Sequence, residues 1–225
     1  MKFAQLNQTL TYFLDDNPKN GERDYQFPLP LRIDGWNFAQ DLFAVHTLRE
    51  MTTVLTIPSG ARSVAVPADF AEMGVLYDDK NRRTYTRKEL NEGVERDDNH
   101  AQSFQYWFWG GKLFIDGTQA STLALDYFAY WPSVAYTVKD DKTTAITIDD
   151  ILVPRWSLQP LLHLTAAYCL DPHAIRSALD RNNDIKIASG TPIMNSRAQQ
   201  VREHAWWYDY LLGKHPVQVR MVGMN

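Results

Sequence analysis

The stretch FQYWFWGGKLFIDGTQASTLALDYFAYWP, residues Phe104 to Pro132, carries the strongest β signal in the chain. Its apolar residues alternate: Phe104, Tyr106 and Phe108 fall on one face of an extended strand, Trp107 and Trp109 on the other. Gly110-Gly111 suits a two-residue hairpin turn, and Asp116-Gly117 opens a second, longer connection. The stretch therefore predicts a three-stranded antiparallel meander whose first strand needs apolar cover on both faces.

Upstream, TTVLTIP and ARSVAVP flank Ser59-Gly60 and predict another hairpin, ended by Pro67, which has no N–H to give a ladder. ADFAEM, residues 68–73, reads as one helical turn before GVLYDD returns to strand. In SVAVPADFAEM the question is whether Asp69 and Glu72 are working carboxylates or part of a joint. The reading is a joint, with Asp69 capping or turning the backbone and Phe70 entering the core. TRKELNEGV predicts a short helix from Thr86, with Glu89 in capping-box position, followed by a polar loop at 95–103.

Outside this region the period becomes helical. Phe3, Leu6, Leu10 and Phe13 form one stripe, ending near DDNPKNG, where Pro18 and Gly21 break the pattern. The two prolines of YQFPLPLRIDG predict an extended segment. A helix then follows over WNFAQDLFAVHTLREM, with Phe38, Leu42, Val45 and Leu48 or Arg49 along one side. Leu158, Leu162, Thr165 and Cys169 mark a further helix that tolerates Pro160 in its first turn. Asp171-Pro172 is a cap and first-turn proline for the next, running to Ser189-Gly190. Ser196 and Gln199 form a capping box for a last helix with Ala198, Val201, Ala205, Tyr208 and Leu212 as its seam, and HAWWYDY suggests packing on more than one side. The fold class is α+β. Residues 1–50 and 149–213 form a helical bundle, 51–148 an inserted antiparallel β-rich lobe, and 214–225 an extended C-terminal tail.

Composition narrows the function. The net charge of -4 and pI near 5.8 offer no broad attraction to phosphate backbones, which makes sequence-independent nucleic-acid binding a poor first reading, with a local basic patch left open; no sequence-specific nucleic-acid partner is expected. Cys169 is the single cysteine, which rules out an intrachain disulfide and fits a reducing compartment. No apolar run approaches the ~20 residues of a membrane span, and the start lacks a signal-peptide core, so a cytosolic protein without a membrane partner is expected.

Chemical motifs are sparse. WGGKLF lacks the spacing and the following helix of a phosphate loop. Cys169, Asp171 and His173 lie close in sequence, but no second Cys or Cys-His pair completes a zinc set, and they read as a buried thiol, a cap and a surface imidazole. His163 reads as packing beside Leu162, and His46, His100, His204 and His215 show no ligand spacing. The paired acids Asp15-Asp16, Asp78-Asp79, Asp97-Asp98, Asp140-Asp141 and Asp149-Asp150 read as turn and helix-start residues. Glycosidase carboxyl groups must lie roughly 5 to 9 Å apart across a cleft, which sequence neighbours do not ensure. No nucleophile elbow or triad is recognisable, and neither catalytic residues, metal nor cofactor are expected. Trp107, Trp109, Tyr127, Tyr130 and Trp131 could stack on sugar rings, but excess Trp and Tyr equally fill a sheet core or a subunit interface, and packing or interface is the preferred reading.

In its order of parts the chain resembles the head-to-tail adaptor, or connector, proteins of tailed bacteriophages. The resemblance runs through TTVLTIPSGARSVAVPADFAEMGVLY, YWFWGGKLFIDG, LALDYFAYWPSV and LVPRWSLQPLLHLTAAYCL, and covers roughly Leu6 to Leu212. PLPLRIDGWNFAQDLFAVH departs from the family pattern, which has one longer helix there. The resemblance implies a head-completion protein of the virion neck, assembled in the host cytoplasm. It implies a homo-oligomeric ring, commonly twelvefold, whose lumen faces packaged DNA, with the portal protein and tail or tail-terminator proteins as partners. A tail-end position would differ only in partner. Lys214, Val217, Val219, Arg220 and Met221 are the expected portal-docking residues, and Trp107, Trp109, Tyr130 and Trp131 the ring-interface or tail-facing candidates. The alternative is a carbohydrate-binding or glycan-cleaving module built on the Trp/Tyr-rich sheet.

Overall fold

The computed structural model describes residues 1–16, 26–80, 82–88, 104–116, 122–139, 144–179 and 196–215. In chain order, α1 (Phe3–Phe13) and α2 (Leu29–Ala44) precede β1 (Arg49–Thr56), β2 (Ser63–Ala65), β3 (Phe70–Asp78), β4 (Arg83–Thr84) and β5 (Thr86–Arg87). There follow β6 (Gln105–Trp109), β7 (Lys112–Asp116), β8 (Thr122–Ala129), β9 (Ala135–Val138) and β10 (Thr144–Ile148). A 3-10 turn at Arg155–Ser157 leads into α3 (Leu158–Leu170), α4 (Pro172–Leu179) and α5 (Ser196–Gly213). The protein is mixed α and β with predominantly antiparallel sheets, and it divides into two compact units, Met1–Thr47 with Trp131–Asn225, and Leu48–Tyr130.

In the first unit α1 buries Phe3, Leu6 and Leu10, the stripe its spacing predicts. Its entry is fixed by pairing with the chain before α3: the Phe3 N–H donates to the Asp149 carbonyl at 2.9 Å and the Ile151 N–H to the Met1 carbonyl at 2.8 Å. The expectation for residues 29–35 is corrected, because they are helical and α2 is one continuous 16-residue helix. Pro28 is extended at the N-cap, and Pro30 sits in the first turn, where its missing N–H has no intrahelical partner to lose. The buried face is corrected too. Ile33, Trp36, Ala39 and Phe43 point inward, Val45 is 79% exposed, and Arg49 begins β1.

α3 is the hub of this unit. Leu161, Leu162, Leu164, Thr165, Ala166, Ala167 and Cys169 are all buried, so it is apolar nearly all round, as a helix covered by α1, α2, α4 and α5 should be. At the start of α4, Asp171 Oδ1 accepts the N–H groups of His173 and Ala174 at 2.9 Å, the capping role its sequence position suggested. These bonds to the charged form, Ala174's foremost, hold the carboxyl below its usual range. On α5, Val201, Ala205, Tyr208 and Leu212 are buried at the predicted spacing. The hairpin β9–β10, which the sequence reading ran into the β-rich lobe, goes with these helices. Asn37 of α2 ties its approach by exchanging two 2.9 Å hydrogen bonds with the Val134 backbone.

In the second unit the strands form two four-stranded sheets, ordered β1-β8-β3-β4 and β2-β7-β6-β5. The β6–β7 hairpin is as predicted, with Gly110 and Gly111 at φ 56° and 73°, the left-handed region a tight primed turn demands of both central residues. Other pairings are corrected. The Ser59-Gly60 turn forms, the Ala61 N–H reaching the Pro58 carbonyl at 2.9 Å, but its flanking strands part: β1 pairs along its whole length with β8, and β2 pairs with β7. β8 is therefore the centre of the other sheet, not the third strand of a meander. Ala68–Met73 holds a turn and then the start of β3, not a helical turn, and Thr86–Arg87 is a short strand parallel to β6.

The strand patterns explain these choices. β8 buries Leu123, Leu125, Tyr127 and Ala129 on alternate positions, and intermediate burial of Ala124 and Phe128 marks it as central. At Gly74 a Cβ would lie 2.7 Å from the Asp126 carbonyl oxygen, so β3 can approach β8 at its bulge only with glycine there. One apolar cluster, including Leu55, Leu76, Tyr106, Leu113, Ile115, Leu123 and Leu125, draws on both sheets.

Candidate functional site

Large rings left in solvent at no benefit to a core are where a binding surface would lie. On α5, Trp206 and Tyr210 are 56% and 43% exposed and stack on one another, ring centroids 5.0 Å apart and planes 10° apart. Four residues apart on a helix, they belong to one ridge that also includes exposed Arg202 and Lys214. The Lys214 ammonium sits over the Tyr210 ring, 4.4 Å from its centroid. The ridge is thus a cation, two stacked aromatics and a cation. HAWWYDY was expected to be packed on more than one side; Tyr208 is buried, Trp207 half-buried, and Trp206 and Tyr210 face solvent. The signal was present, since both lie off the Val201, Ala205, Tyr208, Leu212 stripe.

Of the expected docking residues, Lys214 closes this ridge, while Val217, Val219, Arg220 and Met221 lie outside the described residues. The sheet aromatics do not act as one set. Trp107 is half-buried and stacked on Phe114 at 5.5 Å. Trp109, at the β6–β7 turn, is 67% exposed, and Tyr130 52%. Tyr127 is buried, and so is Trp131, which donates its Nε1–H to the Thr47 carbonyl at 2.9 Å and packs near Phe43. Trp131 is a core residue of the first unit and is corrected as a surface candidate.

Asp69 resolves the SVAVPADFAEM question. Its carboxylate accepts from Arg49 at 2.7 Å and from the Tyr127 hydroxyl at 3.1 Å, and its carbonyl accepts the Tyr130 N–H at 2.8 Å. Asp69 joins the ends of β1 and β8 to the turn that opens β3, and Phe70 packs against the core cluster. Burial, and then the bond to Asp69, push the Tyr127 phenol up. The stretch is a joint, held by side-chain ties instead of a backbone cap.

A second polar tie lies in the first unit. Arg32, 1% exposed, pairs with Asp16 at 2.6 Å and donates also to the Phe27 carbonyl, Asn7 and Thr11. Asp16 in turn accepts the backbone N–H groups of Gln26 and Phe27. At least four of the five guanidinium N–H groups and both carboxylate oxygens are engaged, which approaches the condition under which a buried ion pair is tolerable. Of the other paired acids, Asp150 bridges to Lys2 at 2.8 Å on the surface, and Asp78 is buried and turns the chain by accepting the Lys80 N–H.

Burial pushes the Cys169 thiol up to about 12, far from the thiolate a nucleophile or ligand needs. Among the described residues no group of three or more His, Cys, Asp or Glu side chains is placed to hold a metal ion. Among the pairings that sequence reasoning missed, with Arg32–Asp16 and Arg49–Asp69, His163 on α3 and His204 on α5 meet with their Nδ1 atoms 2.9 Å apart. No helix among the described residues is long and apolar enough to cross a membrane.

Against known proteins, no family model matches the chain and no curated protein matches it.

Proposed function

We propose that this chain is a virion structural protein, a ring-forming head-to-tail adaptor that docks under the portal and presents the attachment surface for the tail. Its architecture in this reading is a helical bundle drawn from both chain ends, with an inserted antiparallel β-rich lobe and an extended C-terminal docking tail. Tail or tail-terminator proteins are its further partners, and the twelvefold ring common in the family it resembles is the expected assembly. It performs no chemical step. The observation that carries the reading is the exposed stack of Trp206 and Tyr210, closed by Lys214, at the end of the last helix and immediately before residues 216–225. Exposed aromatic residues grouped with an arginine, here Trp206 and Tyr210 with Arg202, are residue types enriched at protein interfaces. The continuity of α2 over 16 residues supports it as well, because the resemblance implies one longer helix in this segment.

Deleting Lys214 to Asn225 tests the reading. The truncated protein should keep its circular dichroism spectrum and lose attachment to portal rings; attachment at the wild-type level would sink the assignment. A second reading, glycan binding, now rests on Trp109 at its hairpin tip, since Trp131 is buried. Tryptophan fluorescence unchanged across a broad oligosaccharide panel removes it.

A further inference from the structure

Beside the exposed ridge of α5 two imidazoles meet. His163 and His204 are both half-buried, with Nδ1 to Nδ1 at 2.9 Å. At that distance one nitrogen carries the proton and the other presents a lone pair, so a single shared proton joins α3 to α5. Aromatic rings wall the pair. Phe13 of α1 lies edge-on to His163 at 4.8 Å and stacked on His204 at 6.4 Å, and Trp207 stacks on His163 at 5.8 Å. Among the described residues, the charged group acting on the pair is Glu203 on α5, exposed and next to His204, which favours a cation there. α1 contributes Phe13 and α5 Trp207, neither of which titrates. The Trp207 π face also favours a cation, but burial and the facing imidazole outweigh it and hold His163 down to about 4. Burial likewise lowers His204.

We propose that the His163–His204 pair is an acid-sensitive latch, fastening α5 to α3 while it shares one proton and forcing the two helices apart when each Nδ1 carries its own. Two protons come from solvent. The first, on the free Nε2 of the donor ring, leaves the hydrogen bond in place; the second, on the accepting Nδ1, makes that nitrogen a donor, so that two N–H groups on two imidazolium cations face each other where one hydrogen bond stood. Both folded-state values lie below the ordinary 6.5, so the unfolded or opened chain takes up protons that the closed one refuses. The latch is therefore fully engaged above pH 6.5 and is lost as pH falls from there toward about 4. It sits on the helix that bears Trp206 and Tyr210, and it stands whether or not that face docks on a portal.

The test uses the full chain. The Cε1–H signals of His163 and His204, assigned through their own backbones, are followed from neutral to acid pH by NMR. Hydrogen exchange of the α5 amides, corrected for intrinsic rate, is measured at about pH 7.5 and about pH 4.5. We expect the His163 midpoint near 4. The Val201 to Leu212 amides should lose roughly tenfold or more of their protection in acid. In His204→Gln, whose amide still hydrogen-bonds but takes no proton, that loss should shrink. Midpoints at the ordinary 6.5 for both rings overturn the latch, and so does α5 protection that stays level across the range. Should His204→Gln fail to fold, the wild-type titration and exchange decide alone.

Discussion

The helical unit buries a guanidinium and a carboxylate against each other and half-buries two imidazoles that share a hydrogen bond, while the sheet unit fills its core with aliphatic and aromatic groups, buries the Asp78 carboxylate at a turn, and leaves the Arg49–Asp69 ion pair partly exposed at the rim. The two arrangements fail in different ways. A buried charge pair is tolerable only when complete, so removing one partner exposes the full desolvation penalty of the other. An apolar core loses stability in proportion to the volume removed, and its neighbours can partly relax.

The largest effect should therefore come from Asp16→Ala, which strands Arg32 in a dry site. We expect a loss of about 3 to 5 kcal/mol in urea unfolding, and a smaller loss when Arg32→Met is added. A double variant as unstable as the single one would break the contrast. Leu125→Ala, at the centre of the sheet core with no exposure, should cost about 2 to 5 kcal/mol, and no companion substitution of a polar group should rescue it. At the other end, Trp206→Ala should change stability by less than about 0.5 kcal/mol while weakening portal attachment. A large stability loss there would show that the exposed Trp206 ring carries a packing role.

Legibility in the sequence divides along the same line. α1, α3 and α5 could be read because a helix states its buried face within a few turns, as Leu6 and Leu10 or Val201, Ala205 and Tyr208 do. α2 could not, because its two prolines imitate an extended segment and Arg32 and Gln40 interrupt the apolar stripe that faces the core. Strands were recognised by alternation, but their partners were not. Arg49 pairs with Ala129 and Thr56 with Thr122, and nothing local in either strand specifies so distant a neighbour. The hairpin at Gly110-Gly111 was legible because its turn and both its strands are adjacent. The polar ties were hidden for the same reason as the strand partners: Asp69 meets Arg49 and Tyr127 across the sheet, and His163 meets His204 across two helices. A usable hint existed for the last, since each histidine stands one place from a buried stripe residue, Leu162 and Ala205.

The most direct test of the account is the mass of the purified protein, alone and mixed with candidate portal rings, followed by negative-stain imaging of any large species. The adaptor reading predicts a closed ring, or stoichiometric saturation of a portal. A monomer that ignores every portal would contradict it.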